Sequence, residues 1–187
     1  MTRRMKERRI YGGDSPRETQ PCAAVVACDK IQLTEDWGMA DTAVRFLEGL
    51  TTDGRGRQIT EILDQDDWFW ENTHDFIQWL FPLNEGSSAV RNSPVLNEHE
   101  IELIRASESA RGSLLASADR YKVFLLNTTR WRNSYDHNHL RITRVIKSLR
   151  LLTDDETANG FKYWVAGQLG DQIDSINTRS KKFWRLA

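Results

Sequence analysis

The stretch Trp68-Phe-Trp-Glu-Asn-Thr-His-Asp-Phe-Ile-Gln-Trp-Leu-Phe-Pro82 limits what this chain can fold into more than any other. It sets aromatic or aliphatic groups around most of a helix circumference. Such a helix is stable in water only when other elements surround it. The spacing predicts one central helix, Trp68 to Leu80, stopped at Pro82 because proline biases its predecessor away from helical geometry. Asp66 or Asp67 is placed to cap its start. Trp79 is expected to be buried there, so that its truncation to alanine costs about 3–5 kcal/mol.

The rest of the chain supplies the surrounding elements. Apolar residues recur at helical spacing in Met39–Leu50, Gln58–Leu63, Glu98–Ser107 behind the capping Asn97, and Ser109–Leu126. They recur again from Asn138 or His139 to Leu152 and from Asp154 to about Ile176, before a short C-terminal turn with Phe183 and Trp184. About seven helices and no hairpin signal predict an all-α fold, a compact multi-helix bundle. The 187 residues suit one domain with a real core, and seven Trp argue against disorder. Residues 1–20 read as a basic and polar tail and 21–187 as a single helical domain. Ala23–Ala27 fits either a short strand or a helical turn.

The formal net charge of −1 gives no general attraction to nucleic acid or anionic lipid, so nucleic-acid binding would need a local patch. No apolar run is long enough for membrane insertion, and no apolar segment follows the basic Met1–Arg9 as in a secretory leader. The expectation is a soluble intracellular protein, cytoplasmic or, in a eukaryote, nuclear. Cys22 and Cys28 match no zinc spacing and read as reduced thiols. Gly54-Arg-Gly-Arg57 lacks the lysine and strand of a phosphate-binding loop, and no nucleophile motif is visible. Neither cofactor nor metal is expected, and the sequence identifies no catalytic residue.

Candidate binding residues fall in three groups. Trp70, His74 and Gln78 lie four apart and share one face of the predicted helix. There His74 serves as an acid-base group or a ligand, with Gln78 orienting substrate, or packs between aromatics. His137 and His139 flank Asn138 at a helix start, either as loop ligands or beside capping by Asp136 or Asn138. Arg141, Arg144, Lys147 and Arg150 form a stripe opposite a core face of Leu140, Val145, Ile146, Leu149 and Leu152. Arg141 and Arg144 occupy the opening turns of their helix, where its dipole already presents positive charge. They therefore either recruit an anionic ligand or pair with internal carboxylates. Trp131, between Arg130 and Arg132, either stacks on a partner from an exposed loop or tucks back over the bundle.

The block His74-Asp-Phe-Ile-Gln-Trp-Leu-Phe-Pro-Leu83 resembles the signature of the opioid growth factor receptor conserved region. Phe46-Leu-Glu-Gly49 and Asp53-Gly-Arg-Gly-Arg57 resemble that family's opening, and Ser93-Pro-Val-Leu96 with the acidic helix after it resembles its middle. His137 to Leu152 resembles a second strong block, and Ser180, Phe183-Trp184 and Ala187 its close. The likeness runs over roughly residues 40 to 187. It implies a helical fold and, by inheritance, recognition of a peptide. It carries over no catalytic residue. A non-catalytic module that binds a peptide or protein is the leading reading. The alternative is an enzyme or nucleic-acid-associated protein with a His/Arg anion pocket. Convergence of His74, His137, His139 and the arginines on one cleft would favour the alternative, and a broad apolar groove the module.

Overall fold

The structure, a computed structural model, describes residues 41–187. The tail, the Ala23–Ala27 run and both cysteines lie outside the described residues. Among those described the fold is all-α: α1 (Thr42–Leu47), α2 (Ile59–Leu63), α3 (Asp67–Asn72), α4 (Ile77–Leu80), α5 (Glu98–Ala106), α6 (Glu108–Asn127), α7 (Asn138–Leu152), α8 (Asp155–Leu169) and α9 (Thr178–Leu186). Two 3₁₀ segments, Arg130–Arg132 and Gly170–Ser175, join the later helices. The only strand-like pairing among the described residues is an isolated bridge between Leu83 and Val95. No described helix is long and apolar enough to cross a membrane.

Local chemistry sets most helix starts. Asn97 accepts from the Glu100 backbone N–H while the Glu100 carboxylate accepts from that of Asn97, a reciprocal capping box. Asp66, Ser107, Asp154 and Asn177 cap α3, α6, α8 and α9 through their side chains. α7 packs along α8 and against α9 and α5, while α6 packs on α1, α5 and the short helices α2 and α3. The core runs between these layers through Phe46, Trp70, Phe76, Tyr121 and Phe124. Trp70 sits at its centre, edge-on to Phe76 at 4.9 Å and stacked near Tyr121 at 6.0 Å.

Three expectations need correction. Trp68 to Leu80 is not one helix: it breaks at Thr73–Phe76, and α4 sets off separately. In a continuous helix the Trp70 and Thr73 carbonyls would accept from the N–H groups four residues on. Here the guanidinium of Arg141 takes both: Nη1 donates to Trp70 O, and Nη2 to Thr73 O at 2.7 Å. The helix predicted to reach Ile176 ends at Leu169, where Gly170 takes a positive φ of 49°. Leu140, assigned to the core face of α7, is 62% exposed, and Ile142 is buried in its stead.

The broken helix redistributes the aromatic energetics. Trp70 is fully buried, whereas Trp79 is partly exposed and meets Phe46 edge-on at 5.4 Å. Trp70→Ala is expected to cost about 3–5 kcal/mol, and Trp79→Ala distinctly less. Denaturant titrations of both variants check this. A larger loss at Trp79 would contradict the packing described.

Candidate functional site

α7 holds the Trp70–Pro82 segment by a ladder from one of its faces. Arg141, Arg144 and Ser148 follow the i, i+3, i+7 spacing that aligns side chains on one helix face. Arg141 donates to Trp70 O and Thr73 O, Arg144 Nη1 to Phe81 O at 2.9 Å, and Ser148 Oγ to Pro82 O at 3.0 Å. These carbonyls close α3 and α4 or follow them, where a helix lacks internal donors. The two arginines thus bond backbone carbonyls and not the internal carboxylates that were one alternative. Further along the stripe, Lys147 meets Glu85 at 2.7 Å, and Arg150 meets Asp155 at 2.7 Å.

Beside this ladder lies a cleft of about 510 Å³, bounded by the Ile77–Ala89 segment, α7 and α9. Its size suits a ligand site. His74, Gln78, His137, Arg141 and Arg144 all line it. The rings of His74 and His137 stack with centroids 5.0 Å apart and planes 14° apart. Arg141 Nη2 lies 3.4 Å from His74 Nδ1, so the first turn of α7 and the α3–α4 break meet at this stack. Gln78 is buried; one end of its amide reaches Ser87 Oγ at 3.4 Å, and the other has no hydrogen-bond partner among the described residues. Apolar groups also line it: Leu140 and Leu186, 62% and 69% exposed, and Phe183.

Three other candidates are core residues. Trp70, fully buried, donates from its indole to Ile62 O at 3.3 Å and lies beneath the Arg120 guanidinium. Trp131 is equally buried, its indole N–H 2.8 Å from Leu125 O at the end of α6, so of its two readings the tucked one holds. His139 is 2% exposed. Its Nε2 lies 2.8 Å from Trp131 O and its Nδ1 3.0 Å from Ser180 Oγ. A carbonyl can only accept, so Nε2 carries a hydrogen. His139 therefore ties the 3₁₀ turn, α7 and α9 together and does not line the cleft. Asp136 accepts the Asn138 backbone N–H at 2.8 Å, the capping weighed against metal binding for this loop.

Sequence reasoning missed two groups. Asp75 accepts from Arg55 at 2.9 Å and Arg57 at 2.8 Å, and buried Asp53 accepts from Arg57 Nε at 2.7 Å. Burial pushes the Asp75 carboxyl up, but the bonds and charges of Arg57 and then Arg55 outweigh it and hold it below its ordinary value. Asp53-Gly-Arg-Gly-Arg57 is thus a clamp on the α3–α4 break. Behind His137, Glu71 and Asp136 approach with ligating atoms within 4.8 Å of one another. Asn138 Nδ2 donates to Glu71 at 3.2 Å, and both carboxylates offset the charge of Arg141, whose own pKa burial lowers.

His137 gives the site a pH signature. Burial and then Arg141 depress its pKa below 6.5, against the opposing pull of Asp136 and Glu71; His74 lowers it further. Its protonated form is therefore disfavoured in the folded chain. The stability it contributes is present above about pH 6.5 and is lost as pH falls through that value toward the depressed folded one. His137→Gln should flatten this part of a stability-versus-pH curve. An unchanged slope would show that His137 does not titrate differently on folding.

Residues 50–128 match the opioid growth factor receptor (OGFr) conserved region. The chain is similar to the mouse opioid growth factor receptor, 32% identical over 97 residues that cover 42% of this chain and 15% of that protein. The rat opioid growth factor receptor is likewise 32% identical over 97 residues, with 17% of its length covered. No solved structure matches. The matched stretch includes the broken helix, the Asp53–Arg57 clamp and the Ile77–Ala89 wall of the cleft; the block from His137 onward, which also resembles the family, lies beyond it. By this match, residues 50–128 are similar to the opioid growth factor receptor conserved region.

Proposed function

We propose that this chain is a non-catalytic binding module and that the cleft between Ile77–Ala89, α7 and α9 receives a segment of a peptide or protein. The observation that carries the reading is the cleft's composition: basic and amide groups of Arg144, Lys147 and Gln78 beside apolar Leu140, Phe183 and Leu186. A polypeptide offers both chemistries side by side, whereas a bare phosphate ligand has no use for the apolar groups. Exposed large apolar groups grouped on one face often mark a binding site. The word "receptor" in the relatives' names suits the same reading, although the match spans only 15% and 17% of their length.

The alternative, an enzyme or nucleic-acid-associated protein with an anion pocket, draws on the convergence of His74, His137, Arg141 and Arg144. Two features weigh against it. His139 belongs to the core, and the donors of Arg141 are already committed to backbone carbonyls and Asn138.

Panning a random peptide library against the protein should yield binders. Leu140→Glu and Leu186→Glu, both at exposed positions, should remove their binding without lowering the melting temperature. Binders indifferent to both substitutions would place recognition on another surface.

A further inference from the structure

The ionic partners in the cleft are unequal. Arg141, Arg144 and Lys147 line it, against the one side-chain carboxylate of Glu85. Arg141 is buried and spends its donors on the ends of α3 and on Asn138. Arg144 spends one Nη on Phe81 O and forms no ion pair among the described residues, its other nitrogens being left for the cleft. Lys147 is one α-helical turn further on, held by Glu85 in an ion pair whose two side chains are 41% and 56% exposed. Exposed pairs of this kind contribute little and exchange readily. Gln78 also lines the cleft, its amide oxygen buried and without a hydrogen-bond partner among the described residues. The positions of Arg144 and Lys147 on α7 are three residues, about 4.5 Å of helix rise, apart, close to the spacing of carboxylates three residues apart on a helical ligand.

We infer that the ligand segment is acidic and apolar: carboxylates seated on Arg144 and Lys147, with an adjacent apolar face on Leu140, Phe183 and Leu186. Glu85 occupies from within the chain the place of one ligand carboxylate, and binding displaces it from Lys147. The inference rests on the cleft being the recognition site, and it adds the charge of the partner and an internal competitor. A merely structural role for the Glu85–Lys147 pair would not make its loss improve binding.

The test uses a fluorescent synthetic peptide of Leu-Leu-Glu-Glu repeats, the same peptide with Gln or Lys in place of Glu, and a single-stranded oligonucleotide. The Glu peptide should bind, more weakly as salt rises. The Gln form should bind about tenfold more weakly or worse, and the Lys form not at all. Lys147→Ala should weaken the Glu peptide, whereas Glu85→Gln should strengthen it by up to about fivefold. Arg144→Gln should abolish binding; should it also lower the melting temperature, the two exposed positions still decide the matter. Equal binding of Glu and Gln peptides, or weaker binding by Glu85→Gln, overturns the inference and leaves peptide recognition standing. A preference for the oligonucleotide that depends on Lys147 overturns it in favour of a phosphate polymer. Failure of the Glu peptide where library binders still require Leu140 also overturns it alone, while absence of any Leu140-dependent binder removes the recognition site beneath it.

Discussion

The architecture depends on guanidinium groups bonded to backbone carbonyls at helix ends. Arg141 closes α3, Arg144 closes α4, and Arg120 donates to Leu63 O and Gln65 O behind α2. Arg105 reaches Leu151 O near the end of α7, and Arg132 reaches Gln168 O near the end of α8. A helix end buried without donors leaves several carbonyls unsatisfied, each costing about 1–3 kcal/mol. A planar guanidinium can answer two of them at once, as Arg141 and Arg120 do, and sets positive charge at the negative pole of the helix. Three helices of four to six residues can therefore lie against the core with their ends intact.

That arrangement also makes the cleft. If Trp68–Leu80 ran on as one helix, His74 and Gln78 would follow Trp70 along one face. The break turns Trp70 into the core, leaves His74 exposed beside His137, and points the buried Gln78 amide at the Ser87 loop. Arg141 both ends α3 and lines the cleft, so the fold and the site share one side chain.

Short-range features were legible in the sequence. The Asn97 cap, the extent of α6 and α7 and the all-α class follow from spacing and capping chemistry within a few residues. The break at Thr73 was not, because its cause lies 68 residues further along the chain in Arg141. The same holds for Trp131 and His139, whose polar atoms are satisfied by carbonyls and a hydroxyl that only the fold brings near. Leu140 was misassigned by its apolar character: at about 100° per residue it lies roughly opposite Leu149, off the buried face that Ile142 shares with Val145 and Leu149. Five of the eight candidate residues meet in one cleft, since the stripe on α7 and the signature block are joined by the ladder itself.

The short helices carry a consequence for the order of folding. Isolated helices below about 12 residues are marginal in water, and α2, α3 and α4 fall well short of that. Their ends are closed by arginines of α6 and α7, which have 20 and 15 residues and local caps of their own or nearby. The Asp66 cap, the Gln58–Glu61 bond and the Asp53–Arg57 clamp are local, but the ends of α2, α3 and α4 stay open until those two helices are in place. It follows that the segment carrying the family signature is a late arrival in folding. Mutations within α3 should then speed unfolding and leave the folding rate nearly untouched, whereas mutations in α6 and α7 should slow folding itself.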